Sequence, residues 1–144
     1  MSQYKKIIVA IDINADYQKV IKKALGICES PKDLTLVYVP LPTVYIQPYL
    51  YGAEYNVDDV DRLQRAKDSL GDIAKEFDLS EEQTILKTGY AGDEIKQIAD
   101  ENHADLIVIG THGRSGIKLL LGSTATSVIH GVNQDVLAVR MHDD

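Results

Sequence analysis

The sequence contains a single cysteine, carries no excess of basic residues and has no long apolar segment, and each absence excludes a class of protein. Cys28 alone cannot form an internal disulfide or a cysteine-rich zinc site, and its apolar helical position predicts a structural thiol. A formal charge of −7 at pH 7 leaves no basic face for a nucleic-acid partner. We expect no membrane span and no secretory signal, and therefore a cytoplasmic protein.

Several catalytic sequence motifs are also missing. The pattern Gly-x-x-x-x-Gly-Lys-[Ser/Thr] of P-loop NTPases is absent, as is Gly-x-Gly-x-x-Gly after the first apolar run. The nucleophile elbow Gly-x-Ser-x-Gly is absent too. His112 has no Ser/Asp partners at a recognisable spacing. We therefore predict no catalytic residues and expect that the protein is not an enzyme.

Short apolar runs alternate with helical patterns along all 144 residues, a length that fits one domain over residues 1–144. This alternation predicts an α/β fold with a doubly wound open sheet of five mainly parallel strands and helices on both faces. The predicted strands are Lys6–Ile11, Leu34–Val39, Ile85–Thr88, Leu106–Ile109 and Val136–Val139.

Four helices are expected between these strands. Asn14 or Asp16 caps the first, Asp58–Asp59 open the second, Asp93 caps the third, and Ser123 or Thr124 begins the fourth. Each has a predicted inward stripe, and the four stripes are Val20, Ile21, Ala24, Leu25 and Cys28; Val60, Leu63, Leu70, Ile73, Ala74 and Phe77; Ile95, Ile98 and Ala99; and Ala125, Val128 and Ile129.

A glycine-rich segment follows the fourth predicted strand. It contains Gly110, Gly113, Gly116 and Gly122, and the hydroxyl pair Ser123–Thr124 opens the helix behind it. Glycines let main-chain N–H groups approach an anion, and a helix start favours negative charge. This arrangement predicts a phosphate-binding segment, although turn chemistry alone is the alternative. Arg114 and Lys118 are candidate counter-charges for the phosphates.

A ligand in an open α/β sheet lies beyond the carboxyl ends of the strands, where the strand order reverses. If the first and fourth strands are neighbours, Asp12 and the Val39 main chain meet the glycine-rich segment there. Asp12 could then accept a hydrogen bond from ribose or adenine, and Val39 could meet an adenine edge. The alternative for Asp12 is that it only caps a helix or closes a turn.

The segment from Pro40 to Tyr55 is unusual in holding Tyr45, Tyr49, Tyr51 and Tyr55. These rings either cover the sheet and pack between helices, or they form a subunit contact or a lid over the ligand.

The whole chain resembles the universal stress protein superfamily. The resemblance rests on Lys5–Asp12, Leu34–Val39, Asp105–Arg114, Leu120–Ala125 and Asp135–Arg140. It implies a Rossmann-like fold of the adenine nucleotide alpha hydrolase type, ATP or another adenine nucleotide as cofactor, and a homodimer paired through Asp135 to Arg140. Nucleotide-binding members carry nine residues between Gly-x-x-Gly and Gly-[Ser/Thr]. This chain has one fewer, between Gly113 and Gly122.

Together, the residues and the resemblance predict a protein that binds ATP and acts as a stress-response switch or sensor. We expect Mg²⁺ to accompany the phosphates, with no metal-ligating residues of the protein's own. The alternatives are a slow ATP-cleaving or adenylate-transferring enzyme, and a dimeric interaction protein with a vestigial pocket. The predicted nucleotide-binding residues are Ala10, Ile11, Asp12, Val39, Ile109, Gly110, His112, Gly113, Arg114, Gly122, Ser123, Thr124 and Ala125.

One variant tests the glycine-rich segment directly. Gly113→Val should abolish ATP binding while the dimer persists, because a branched side chain would occupy the space next to the phosphates. Isothermal titration measures the affinity, and unchanged affinity would refute the predicted role of the segment.

Overall fold

Five parallel strands form one sheet in the part of the protein that the computed structural model describes, residues 4–40, 54–111 and 123–141. The strand order is β3-β2-β1-β4-β5, which confirms the predicted doubly wound fold. The strands are β1 (Ile7–Ala10), β2 (Leu34–Tyr38), β3 (Thr84–Leu86), β4 (Leu106–Gly110) and β5 (Asp135–Val139).

Helices cover both faces of this sheet. They are α1 (Tyr17–Ile27), α2 (Glu54–Glu76), α3 (Ala91–Glu101) and α4 (Ser123–Ile129), and short 3₁₀ turns at Pro31–Asp33 and Glu81–Gln83 precede β2 and β3. The core on one face joins Ile7 and Val9 to buried residues of α1 and α2. The core on the other face joins Ile8 and Ala10 to buried residues of α3 and α4. Successive residues of β1 therefore pack alternately into the cores on the two faces of the sheet.

Two predicted inward side chains are exposed instead. Val60 of α2 is 67% exposed, and Ile129 at the end of α4 is 41% exposed. A helix of 23 residues is about 34 Å long, whereas a five-residue strand spans about 17 Å. Residues 60–65 of α2 include no buried side chain, and the first buried side chain described on α2 is that of Ala66. The seven-residue α4 buries Ala125 and Val128, whereas Ile129 is its last residue and is exposed at the end of the helix.

The helix starts also differ in part from the prediction. Asp16 caps α1, since its Oδ1 accepts a hydrogen bond from the Lys19 N–H at 3.3 Å. The predicted cap of α3, Asp93, is wrong: Tyr90 is the N-cap, and Asp93 lies in the first turn, 3.8 Å from the Lys96 ammonium. α2 begins at Glu54, four residues before the predicted Asp58. In α2 and α3, unlike α1, the helix begins before the acidic residues from which its start was predicted.

Cys28 is half-buried at the end of α1, as expected for a structural thiol. Its Sγ donates to the Leu25 carbonyl oxygen at 3.3 Å. Burial, assisted by the nearby Asp33 carboxylate, raises the pKa of the thiol and so disfavours the reactive thiolate. No helix among the described residues is long and apolar enough to cross a bilayer.

The packing of α3 on α4 depends on a glycine. A Cβ built on Gly92 would overlap the Ser127 hydroxyl and lie 2.6 Å from the Ser127 Cβ. Gly26 in α1, by contrast, has no atom within 4 Å of its Cβ position.

These two glycines form a matched pair of test sites. Gly92→Ala should lower the free energy of unfolding by about 1–3 kcal/mol, because α3 and α4 would have to separate. Gly26→Ala should raise it by about 0.5–1 kcal/mol through the lower entropy of the unfolded chain. Urea denaturation measures both values. Equal effects of the two variants would contradict the close contact between α3 and α4.

Candidate functional site

The carboxyl ends of β2, β1 and β4 lie side by side, because β1 pairs with both of the other strands. Ala10, the last residue of β1, is the register partner of Val37 on one side and of Ile109 on the other. The next residue continues along β2, where the Ile11 N–H donates to the Val37 carbonyl at 2.9 Å. The register thus brings Asp12, Val39 and the Gly110–Thr111 pair to one edge of the sheet. The strand order reverses at this point. On one side of β1 lie β2 and β3, and on the other side lie β4 and β5.

Asp12 closes a turn at this edge. Its Oδ1 accepts the Asn14 N–H at 2.9 Å, and its carbonyl oxygen accepts the Ala15 N–H at 3.0 Å. Of the two local alternatives for Asp12, closing a turn is therefore observed, whereas the cap of α1 is Asp16. The carboxylate is partly exposed and its orientation is fixed by the turn, so Asp12 can also present an acceptor to a ligand.

The remaining residues of β1 and β4 in the predicted site are buried. Ala10, Ile11 and Ile109 are 5%, 6% and 5% exposed, and each packs in one of the two cores. Val39 is half-buried beside the core beneath α3 and α4. A ligand could therefore reach Ala10, Ile11 and Ile109 through their main chain only.

The main chain at the end of β4 is already hydrogen-bonded. The Thr111 N–H donates to the Val139 carbonyl at 2.9 Å, which extends the pairing of β4 with β5 by one residue. Thr111 therefore cannot offer that N–H to a phosphate. Any N–H group that this segment offers to an anion would therefore belong to a residue other than Thr111.

Gly110 provides room for a side chain from the other end of the chain. A Cβ on Gly110 would lie 2.7 Å from the Met141 Sδ and 3.0 Å from its Cγ. The glycine thus has a packing role in addition to any role toward a ligand. No sequence motif includes Met141, so its position beside Gly110 could not be predicted from the sequence.

α4 begins at the same end of the sheet as the carboxyl ends of β1, β2 and β4. Because β4 and β5 are parallel, the chain must return across the sheet between them, and α4 makes that return, starting from the carboxyl edge. Ser123 is its first residue, Thr124 is half-buried and Ala125 is 1% exposed. The other predicted site residues, His112, Gly113, Arg114 and Gly122, lie outside the described residues, as do Lys118, Gly116, the tyrosines of 45–51 and the side chain of Tyr55.

An open cleft of about 320 Å³ lies beside the Asp12 turn, between the start of α1 and the second half of α2. It is lined by Ile13, Asn14, Tyr17, Ser69, Asp72, Ile73 and Glu76. The Tyr17 hydroxyl donates to Glu76 Oε1 at 3.1 Å. Two carboxylates on its wall make this cleft unsuitable for an anionic ligand. Within the described ranges, no group of three or more His, Cys, Asp or Glu side chains could hold a metal ion.

The sequence matches the Universal stress protein family over residues 3–140. It is 36% identical to Universal stress protein A homolog 2 of Coxiella burnetii over 144 residues, an alignment that covers 98% of each chain. The chain belongs to the universal stress protein family. It is accordingly a stress-response protein, and the resemblance noted from its motifs is confirmed.

Solved structures support the same fold for this universal stress protein. The hypothetical protein MJ0577 superposes with a TM-score of 0.80 at 25% identity, over 98% of this chain and 99% of that one. A universal stress protein crystallised in complex with cAMP superposes with a TM-score of 0.58 at 24% identity, over 98% of this chain and 100% of that one.

Proposed function

We propose that this protein binds ATP, or another adenine nucleotide, at the carboxyl edge formed by β2, β1 and β4. The observation that supports this most strongly is the pairing of β1 with both neighbours, which brings Asp12, Val39 and Gly110–Thr111 together where the strand order reverses. This is where ligands bind in open α/β sheets. The cAMP complex of the related protein supports the view that this fold can accommodate an adenine nucleotide.

Each part of the nucleotide has a residue of suitable chemistry. Asp12 would accept a hydrogen bond from the ribose or the adenine, and the Val39 main chain would meet the adenine edge. The phosphates would lie at the glycine-rich segment and the start of α4, with His112 and Arg114 as nearby donors. Because the whole chain carries a charge of −7, these local donors must outweigh an unfavourable overall field. Mg²⁺ would accompany the phosphates and supply further positive charge.

We propose a switch or sensor rather than a fast catalyst. Asp12 would contact the ribose or the adenine rather than the phosphates, which gives it a binding role and not the activation of a water molecule. Any hydrolysis should therefore be slow, and the stress response would depend on whether nucleotide is bound.

Asp12→Asn tests this assignment because it keeps the Oδ1 acceptor for the Asn14 N–H and removes the charge. ATP affinity should fall by about 10- to 100-fold, the value of a hydrogen bond to a charged group. Asp16→Ala is the control, since it should cost about 1 kcal/mol of stability through the lost helix cap and leave affinity unchanged. Titration calorimetry with Mg²⁺–ATP measures both. No binding by the wild-type protein, or equal affinity of Asp12→Asn, would contradict the proposal.

We also propose that the protein forms a homodimer through β5. This strand is at the edge of the described sheet and pairs on one side with β4. Because Val139 accepts the bond from Thr111, the main-chain groups of Val139 point toward β4 and those of Ala138 point away from it. An apolar edge strand with outward main-chain groups suits pairing with a second copy across a two-fold axis.

Ala138→Pro tests the dimer because it removes an N–H that faces away from β4. Proline is tolerated at such a position of an edge strand, so the monomer should stay folded while the dimer dissociates. Ala138→Ser, which keeps the N–H, should remain dimeric. Sedimentation velocity separates the two species, and a Pro variant that stays dimeric would exclude pairing through β5.

A further inference from the structure

The Met141 side chain packs against Gly110, the last residue of β4 and the first glycine of the glycine-rich segment. β5 pairs with β4 up to Val139, which is the register partner of Gly110. Two residues later, the Met141 side chain packs where Gly110 lacks a Cβ, with its Sδ 2.7 Å and its Cε 3.4 Å from that position. Met141 is partly buried against the core beneath α1 and α2. An unbranched thioether is well suited to filling such an irregular space.

The main chain of the same residue holds Thr111. The Met141 N–H donates to Thr111 Oγ1 at 3.3 Å, while the Thr111 N–H donates to the Val139 carbonyl at 2.9 Å. Thr111 is thus bound through both its main chain and its side chain to the segment Val139–Met141. Gly110 and Thr111, the first two residues of the glycine-rich segment, are therefore held in place by residues about thirty positions later in the chain.

We propose that Met141 is a positioning residue for nucleotide binding, which fixes Gly110 and Thr111 so that the glycine-rich segment starts from one defined place. This inference rests on the proposed function. Its physical basis is preorganisation: a binding segment whose first residues are already ordered loses less conformational entropy when the ligand binds. In this role Met141 acts through Gly110 and Thr111 rather than through a contact of its own with the nucleotide.

Three variants separate positioning from general packing. Met141→Ala removes the side chain from Gly110, and Met141→Leu restores most of its volume. Leu137→Ala is the matched control, because Leu137 lies on β5, four residues before Met141, and is partly buried in the same core. If Met141 is a positioning residue, Met141→Ala should loosen Thr111 and weaken nucleotide binding. Met141→Leu should restore nucleotide binding, and Leu137→Ala should have neither effect.

The first measurement is amide hydrogen exchange without nucleotide. In Met141→Ala the Thr111 amide should exchange about tenfold faster relative to the Val108 amide within β4, which indicates local opening rather than global unfolding. In Leu137→Ala the two amides should keep their wild-type ratio. An unchanged ratio in Met141→Ala would overturn the inference whether or not the protein binds ATP.

The second measurement is Mg²⁺–ATP affinity by titration calorimetry. Met141→Ala should bind about tenfold more weakly than wild type, within the range of coupling between neighbouring sites, while Met141→Leu and Leu137→Ala should bind as wild type does. Equal affinity of wild type and Met141→Ala would overturn the positioning role and leave the proposed function standing. A wild-type protein without affinity would contradict the proposed function, and the exchange ratio would still decide whether Met141 fixes Thr111.

Discussion

The structure depends on β1 being paired in parallel with two different strands at once. Asp105 fixes this arrangement at the start of the strands, where its Oδ2 accepts the N–H groups of Lys5 and Lys6 at 2.8 and 3.0 Å. The Asp105 N–H donates in turn to the Lys6 carbonyl at 2.8 Å. β4 is thereby joined to β1 in register, and the reversal of strand order follows from it. In open α/β sheets such a reversal is where a ligand is expected to bind, at the opposite ends of these strands.

One strand consequently has three roles. Alternate residues of β1 complete the cores on the two faces of the sheet, its pairing sets the register of β2 and β4, and its carboxyl end supplies Asp12. The Asp12 turn also leads directly into α1, whose cap is Asp16. A residue that presents an acceptor at the candidate site is therefore held by the same turn that starts the first helix. The turn thereby gives the carboxylate a fixed orientation.

The sequence predicts most of the fold, because strands buried on both faces appear as short continuous apolar runs such as Ile7–Ala10. It also places Asp12, Val39 and Gly110 at strand ends, which is a local property. It fails where the answer depends on distant packing. Val60 fits a helical stripe, yet its part of α2 is not buried, and Asp93 resembles a cap, yet α3 starts at Ala91 where Gly92 meets Ser127. Met141 could not be found from sequence, because its partners Gly110 and Thr111 lie about thirty residues away.

The central claim is that an adenine nucleotide binds beyond the carboxyl ends of β2, β1 and β4. Its most direct test is a backbone amide NMR titration of the wild-type protein with Mg²⁺–ATP, which reports every part of the sheet at once. The largest shifts should occur at Asp12, Val39 and Thr111, with little change at Lys6, Leu34 and Asp105 at the opposite edge. Shifts confined to that opposite edge or to the cleft between α1 and α2, or no shifts at all, would contradict the account.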